Sequence, residues 1–266
     1  MITLLFYVLY AVFIGLTVWG FSPAIPSLEF FVIIVVGYAV YFPVTLFLFA
    51  LSLEIYGSLF KQEYTSSLKH HRFIDAYMRL AVRLLRLKVV VTGHENLPDK
   101  PFIFISNHQS TYDTIIHKAS LPSPFVFIAK QQLFEWPFLG KPARALGNIP
   151  MERESDRSAA QAIIKGIKTY EAGTSVGIYP EGTRSHGPIM GPFKAGAFKL
   201  ATKPQAPIVV GVTHGSYKAW KLWPVKKHTV RIHFYPVIEP ETYTAWSKTE
   251  LSERIRAMIQ EKLDSF

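Results

Sequence analysis

The chain has 266 residues, with 29 lysines and arginines against 19 aspartates and glutamates, a net charge of +10. It has no cysteine, which excludes disulfides, thiolate metal sites and an acyl-cysteine intermediate. Residues 1–60 contain no Lys or Arg and only Glu29 and Glu54, so the remainder carries 29 basic against 17 acidic side chains. A surplus of that size expects anionic partners: lipid head groups, phosphorylated substrates, an acidic carrier or nucleic acid.

Ile2–Phe21 is uncharged and almost wholly apolar, and Phe30–Leu53 is a second uncharged run. Twenty helical residues at about 1.5 Å each span about 30 Å, the hydrocarbon thickness of a bilayer. Ser22-Pro23-Ala24-Ile25-Pro26-Ser27-Leu28 reads as a helix-breaking link. Residues 1–56 are therefore expected to form a membrane-embedded two-helix segment, either two full spans or, given Gly37 and Pro43, a shallower hairpin in one leaflet. A cleaved signal peptide is not expected, because no basic residue precedes the first run and a second run follows. All Lys and Arg come after the second run, which puts the body of the chain, 57–266, on the cytoplasmic face, that of the inner membrane in a bacterium.

A basic amphipathic helix leads into that body over about 66–88. Phe73, Ile74, Tyr77, Leu80, Ala81, Leu84 and Leu85 recur at helical spacing, while Arg79, Arg83 and Arg86 line another face. Such a helix lies at an anionic membrane surface or packs its stripe on the domain core.

From Lys88 onward short apolar runs alternate with helical patterns. Val89–Val91, Pro101–Ser106, Pro124–Ala129, Leu146–Met151, Ser175–Tyr179, Ala206–Thr213 and His228–Tyr235 read as strands. Helices are expected from Asp113, over Ser155–Ala172 and over Thr249–Leu263, the last with a Ser247-to-Glu250 capping box. This alternation predicts an α/β domain with a mixed, mainly parallel sheet and flanking helices.

Chemistry concentrates in Asn107-His108-Gln109-Ser110-Thr111-Tyr112-Asp113, which follows one of these strands. Open α/β sheets place their sites at the carboxyl ends of strands. In one continuous helix a residue five positions on lies off the face of His108, whereas a turn with Asp113 in the first helical turn lets the carboxylate reach one imidazole nitrogen. That contact fixes the tautomer and frees the other nitrogen as a base. The same spacing also fits a surface histidine beside a helix-capping aspartate. Lys130 and the Glu181-Gly182-Thr183-Arg184 loop follow other strands, so a base, a cation and an arginine fork suited to phosphate are expected to meet in one crevice. No histidine pair has the spacing of a zinc motif, so no metal is implied.

Together these motifs resemble the glycerolipid acyltransferase family, most closely its 1-acylglycerol-3-phosphate acyltransferase branch, over roughly residues 88–240. The histidine–four–aspartate signature is Asn107–Asp113, a second block is Gly147-Asn148-Ile149-Pro150-Met151-Glu152-Arg153, and a third is Glu181–Arg184 preceded by Tyr179-Pro180. A lysine block runs from Lys130 through Leu133 to Pro137 and Gly140. Ala206–Gly211 matches the last block only in part, with Val210 where a second proline is usual.

The resemblance implies transfer of a fatty acyl group from acyl-CoA or acyl carrier protein to the sn-2 hydroxyl of lysophosphatidic acid, giving phosphatidic acid. It implies His108 as general base oriented by Asp113, with Lys130, Arg153, Glu181, Gly182, Thr183 and Arg184 binding substrate. It implies no cofactor beyond the thioester co-substrate, membrane lipids as surroundings and no nucleic acid. Three other readings stand beside it: another lysophospholipid as acceptor, a serine hydrolase using Ser106 or Ser110, and a non-catalytic membrane-anchored module that binds anionic lipid or nucleic acid through its basic surface. The hydrolase would lack a Gly-x-Ser-x-Gly elbow.

Overall fold

The sheet takes its strands from seven short runs: β1 (Leu87–Thr92), β2 (Ile103–Ser106), β3 (Phe125–Lys130), β4 (Ile149–Met151), β5 (Ser175–Ile178), β6 (Ile208–His214) and β7 (His228–Phe234). Their order is β1-β7-β6-β2-β5-β3-β4. Strands β2 to β6 are mutually parallel; β7 runs antiparallel to β6, and β1 pairs parallel to β7. The sheet is thus mixed and mainly parallel, as the alternating pattern predicts. This computed structural model describes residues 11–12, 15–16, 28–59, 67–152, 154–219 and 227–266.

The described helices of more than one turn are α1 (Leu28–Leu59), α2 (Leu68–Leu84), α3 (Tyr112–Ser120), α4 (Gly140–Ala145), α5 (Asp156–Glu171) and α6 (Lys248–Asp264). Ser155 caps α5 by accepting the Ser158 amide, and Ser247 caps α6 by accepting that of Glu250. The expected capping box is only half formed, because the Glu250 carboxylate turns to Arg254 at 2.9 Å.

Period-two alternation sends neighbouring residues of each central strand into different cores. Ile103, Ile105, Val126, Ile128, Val176 and Ile178 face a core completed by Ile163 of α5 and Leu251, Ile255 and Ile259 of α6. Phe102, Phe104, Phe125, Phe127 and Val209 face the other, with Ile116 of α3. The phenylalanines of this second core need glycine on the next strand. A Cβ on Gly177 would lie 2.7 Å from the Phe125 and Phe127 rings, and one on Gly211 would lie 2.5 Å from that of Phe104.

Helix α2 buries Ile74, Tyr77 and Leu80, which decides between its two expected seats: the stripe packs on the domain, and Arg79 and Arg83 face outward. It is tied to α3 by a buried ion pair, Lys118 Nζ to Asp75 Oδ1 at 3.0 Å. Burial pulls the Lys118 ammonium below its usual range, and the Asp75 charge and hydrogen bond oppose that pull.

Of the first expected membrane run, Ile2–Phe21, only residues 11–12 and 15–16 are among the described residues, and of the link after it only Leu28. The second run is part of the continuous helix α1, 32 residues long with Pro43 inside it. Among the described residues, no helix is long and apolar enough to cross a membrane; the side chains of 28–39 are not among those described. The carboxyl half of α1 is docked. Leu53 is buried, Glu54 pairs with Lys141 at 2.9 Å, and Tyr56 stacks on Phe73 with centroids 4.4 Å apart. Its other face leaves Val40, Val44, Phe47, Leu48, Ile55 and Leu59 exposed. At 100° per residue these six fall within one 120° arc of the helix.

Candidate active site

Strand β2 ends at Ser106, and the chain turns through 107–111 into α3. The turn is held by Asp113. Its Oδ2 accepts the amides of Gln109 at 2.7 Å and Ser110 at 2.8 Å and meets His108 Nδ1 at 3.0 Å. A carboxylate only accepts, so Nδ1 carries the proton and Nε2 of the neutral ring keeps its lone pair. The Asp113 side chain is fully buried and that of His108 is 7 % exposed.

The loop after β5 grips the same turn. Glu181 Oε1 accepts the His108 amide at 2.6 Å, its Oε2 accepts that of Gly191 at 2.8 Å, and the Ser185 amide donates to the His108 carbonyl at 2.8 Å. Burial pushes the Glu181 carboxyl up from its usual range, while the two amides and the Arg256 charge oppose this and Asp113 adds to it. From the far side, the Asn107 amide exchanges two bonds with the Thr213 backbone, 2.9 and 2.8 Å, and Gln109 Oε1 accepts the Gly215 amide at 2.9 Å.

His108, Lys130, Arg184, Thr111, Trp136 and Tyr179 line one crevice at the carboxyl ends of β2, β3 and β5. Lys130 and Arg184 are exposed, and the Arg184 guanidinium donates to the Thr111 hydroxyl. Two cations and a base with a free nitrogen therefore share one opening. This arrangement can hold a phosphate and take a proton from a hydroxyl next to it.

The acyltransferase family model matches residues 88–212. The 1-acyl-sn-glycerol-3-phosphate acyltransferase of Borreliella burgdorferi is 33% identical over 193 residues, covering 71% of this chain and 77% of that protein. The chain belongs to the 1-acyl-sn-glycerol-3-phosphate acyltransferase family. The Pseudomonas aeruginosa protein of the same name is 29% identical over 201 residues, 73% of this chain and 77% of that one. In fold, this acyltransferase is similar to the crystal structure of the 1-acyl-sn-glycerophosphate (LPA) acyltransferase PlsC from Thermotoga maritima. The TM-score is 0.67 at 24% identity, over 85% of this chain and 92% of that one.

Within this acyltransferase the predicted site residues separate. His108 and Asp113 are in contact, and Lys130 and Arg184 join His108 in the crevice. Glu181 turns inward to backbone amides rather than to Arg184. Gly182, at φ +69°, lies against Lys194, whose Cε would be 3.1 Å from a Cβ there, and lines an apolar groove with α5 instead of the crevice. Thr183 is exposed and lines neither, and Arg153 lies outside the described residues. Of the aromatic residues near the lysine block, Phe134 is core, Phe138 is half-buried and Trp136 is 52% exposed at the crevice. Asn107, Gln109 and Tyr179 stand within the quoted motifs without an assigned role, and His117 stands outside them; all four build the site. Their polar contacts reach residues 62 to 106 positions away, and only the folded chain reveals them.

Proposed function

We propose that this enzyme transfers a fatty acyl group from an acyl thioester, acyl-CoA or acyl carrier protein, to the sn-2 hydroxyl of lysophosphatidate, making phosphatidate for phospholipid synthesis. The observation that carries this reading is His108: Nδ1 is tied to Asp113 at 3.0 Å while the ring lines a crevice with Lys130 and Arg184. Nε2 takes the proton of the acceptor hydroxyl as its oxygen attacks the thioester carbonyl. The C–S bond breaks as the ester C–O bond forms, and the proton passes from His108 to the departing thiolate. Base catalysis of this kind is worth ~10²–10⁴-fold. Asp113 orients the ring and offsets the positive charge that develops on it. Lys130 and Arg184 hold the acceptor phosphate, and Arg153 adds a third cation. Glu181 shapes the loop that carries Arg184. The acyl thioester is the only co-substrate needed; no cofactor or metal is part of the reading.

An acceptor with a long acyl chain resides in a bilayer, and the exposed apolar arc of α1 from Val40 to Leu59 supports the reading of 1–56 as a membrane hairpin. The basic body then lies on the cytoplasmic face. Detergent-purified protein should make phosphatidate from lysophosphatidate with at least one of the two donors, and His108→Ala should make none while remaining folded. Product from His108→Ala at the wild-type rate would defeat the base assignment. Turnover only with other lysolipids would redirect the acceptor.

A further inference from the structure

Two contacts fix the imidazole of His108, and they constrain it differently. Asp113 holds one atom, Nδ1, at 3.0 Å, and by itself leaves the ring able to rock about that point. The ring plane is set by Tyr179, whose ring lies parallel to it, 8° off, with centroids 4.0 Å apart. Tyr179 is itself clamped. Phe127 stacks on it at 5.4 Å and 11°, and its hydroxyl meets His117 Nδ1 at 2.9 Å. His117 Nε2 continues to Thr213 Oγ1 at 2.7 Å, and the Thr213 backbone is held by Asn107, the residue before His108. The clamp therefore closes on the strand end that carries the base. Burial pushes His117 down to about 4, so the clamp is neutral. Burial also pushes the Tyr179 hydroxyl up, and it keeps its proton.

Resting on the reading of His108 as general base, we propose that Tyr179 is a positioning residue: its ring face sets the plane of the imidazole and so aims Nε2 at the acceptor hydroxyl. Proton transfer requires heavy atoms about 2.6–3.2 Å apart in line, and a displacement of about 1 Å costs roughly 10²-fold. A ring free to rock would spend most of its time misaligned.

The test compares Tyr179→Phe, Tyr179→Leu, Tyr179→Met and His108→Ala as full-length, detergent-purified enzymes, with lysophosphatidate and an acyl-CoA or acyl carrier protein donor. Phe keeps the ring and loses only the hydroxyl; Leu and Met remove the ring, and Met retains buried volume should Leu not fold. Expected for Leu or Met is a kcat reduced about 10- to 100-fold, with KM for both substrates within about twofold. Tyr179→Phe should recover at least tenfold of that loss. In protein with 13C-labelled histidine, the His108 ring protons should be shifted upfield by the stacked Tyr179 face. They should move downfield in the Met variant and stay in place in the Phe variant. A folded Met variant with wild-type kcat, or a Phe variant as slow as Met, would overturn the positioning role. Activity retained by His108→Ala would overturn the base reading instead, so the two failures are distinguishable.

Discussion

Glu181 grips the backbone of His108 rather than its ring: one carboxylate oxygen accepts the His108 amide at 2.6 Å, and the other accepts the Gly191 amide at 2.8 Å. One side chain thus ties the β2 turn to two points of the loop after β5. Glu181→Gln keeps the shape but offers one acceptor and one donor where two acceptors are needed. It leaves a buried N–H unpaired, which costs about 1–3 kcal/mol. A lower urea midpoint and a lower kcat, with KM for lysophosphatidate changed little, are expected. Equal stability and turnover in this variant would show that the grip is dispensable.

Arg184 stands at the crevice with Lys130 and reaches Thr111. Arg184→Ala should chiefly raise the KM for the phosphorylated acceptor, by about 10- to 100-fold for a lost charge-assisted contact. Thr111→Val, which removes only the partner hydroxyl, should have a much smaller effect. A change confined to kcat would mean that the arginine acts on the transition state.

His117 sets an acid limit on stability. Its folded value of about 4 lies below the ordinary 6.5 because burial, the largest cause, outweighs the attraction of Asp113, and His108 adds to the lowering. Between these values the unfolded chain binds the extra proton. The contribution is therefore full above about pH 6.5 and is lost as pH falls towards 4, amounting to about 3 kcal/mol. His214 and His233 shift in the same direction, and the raised Glu181 shifts stability in the opposite sense. Urea midpoints at pH 7 and pH 4.5 should differ less in His117→Gln than in the wild type. An unchanged difference would assign the acid sensitivity elsewhere.

Lys118 and Asp75 are both buried at the α2–α3 contact. Lys118→Met strands the Asp75 carboxylate and should destabilise the fold by about 3–5 kcal/mol. Adding Asp75→Leu should recover part of this loss. Thermal unfolding of the single and double variants measures it, and a strictly additive double variant would argue against the pairing.

Gly57 is where α1 crosses α4. A Cβ there would stand 2.4 Å from the Pro142 nitrogen and 2.5 Å from the Lys141 carbonyl carbon. Backbone atoms cannot yield as a flexible side chain does, so Gly57→Ala should lift the helix from its seat and cost about 1–3 kcal/mol. Faster amide exchange around residues 50–59, with β2 and β5 unaffected, is the expected signature.

How much of this was legible in the sequence depends on the distance over which each feature is decided. The strand, turn and helix around His108 are local, but the five-residue spacing with Asp113 fits two arrangements, and only the fold shows the imidazole–carboxylate contact. The parallel centre of the sheet followed from alternation, and so did the convergence of His108, Lys130 and Arg184. Glu181 was recognised within its motif, but its role was not, because its partner amide is 73 residues earlier. Gly182 and Thr183 were expected at the crevice and lie elsewhere, since a left-handed glycine redirects the loop by an amount that spacing does not encode. Tyr179 stands just before the third block without a role, and His117 belongs to no motif. Their polar ends matter only because α3, β5 and β6 meet above the second core. The buried charge of Lys118 was equally silent, because composition cannot distinguish a lysine with a hidden partner from one on the surface.

The bonds between Asn107 and Thr213 and between Gln109 and Gly215 each join residues 106 positions apart, and β1, which opens the sheet, pairs with β7 near the end of the chain. On the ribosome, the turn carrying His108 is made about a hundred residues before the groups that hold it. A nascent chain has no partial site to use, and one that stops before residue 213 leaves the Asn107 amide without its partner. Assembly is governed by the closure of long loops, which makes it slow relative to local helix formation. A translation product interrupted before residue 213 therefore lacks the partners that fix the His108 turn.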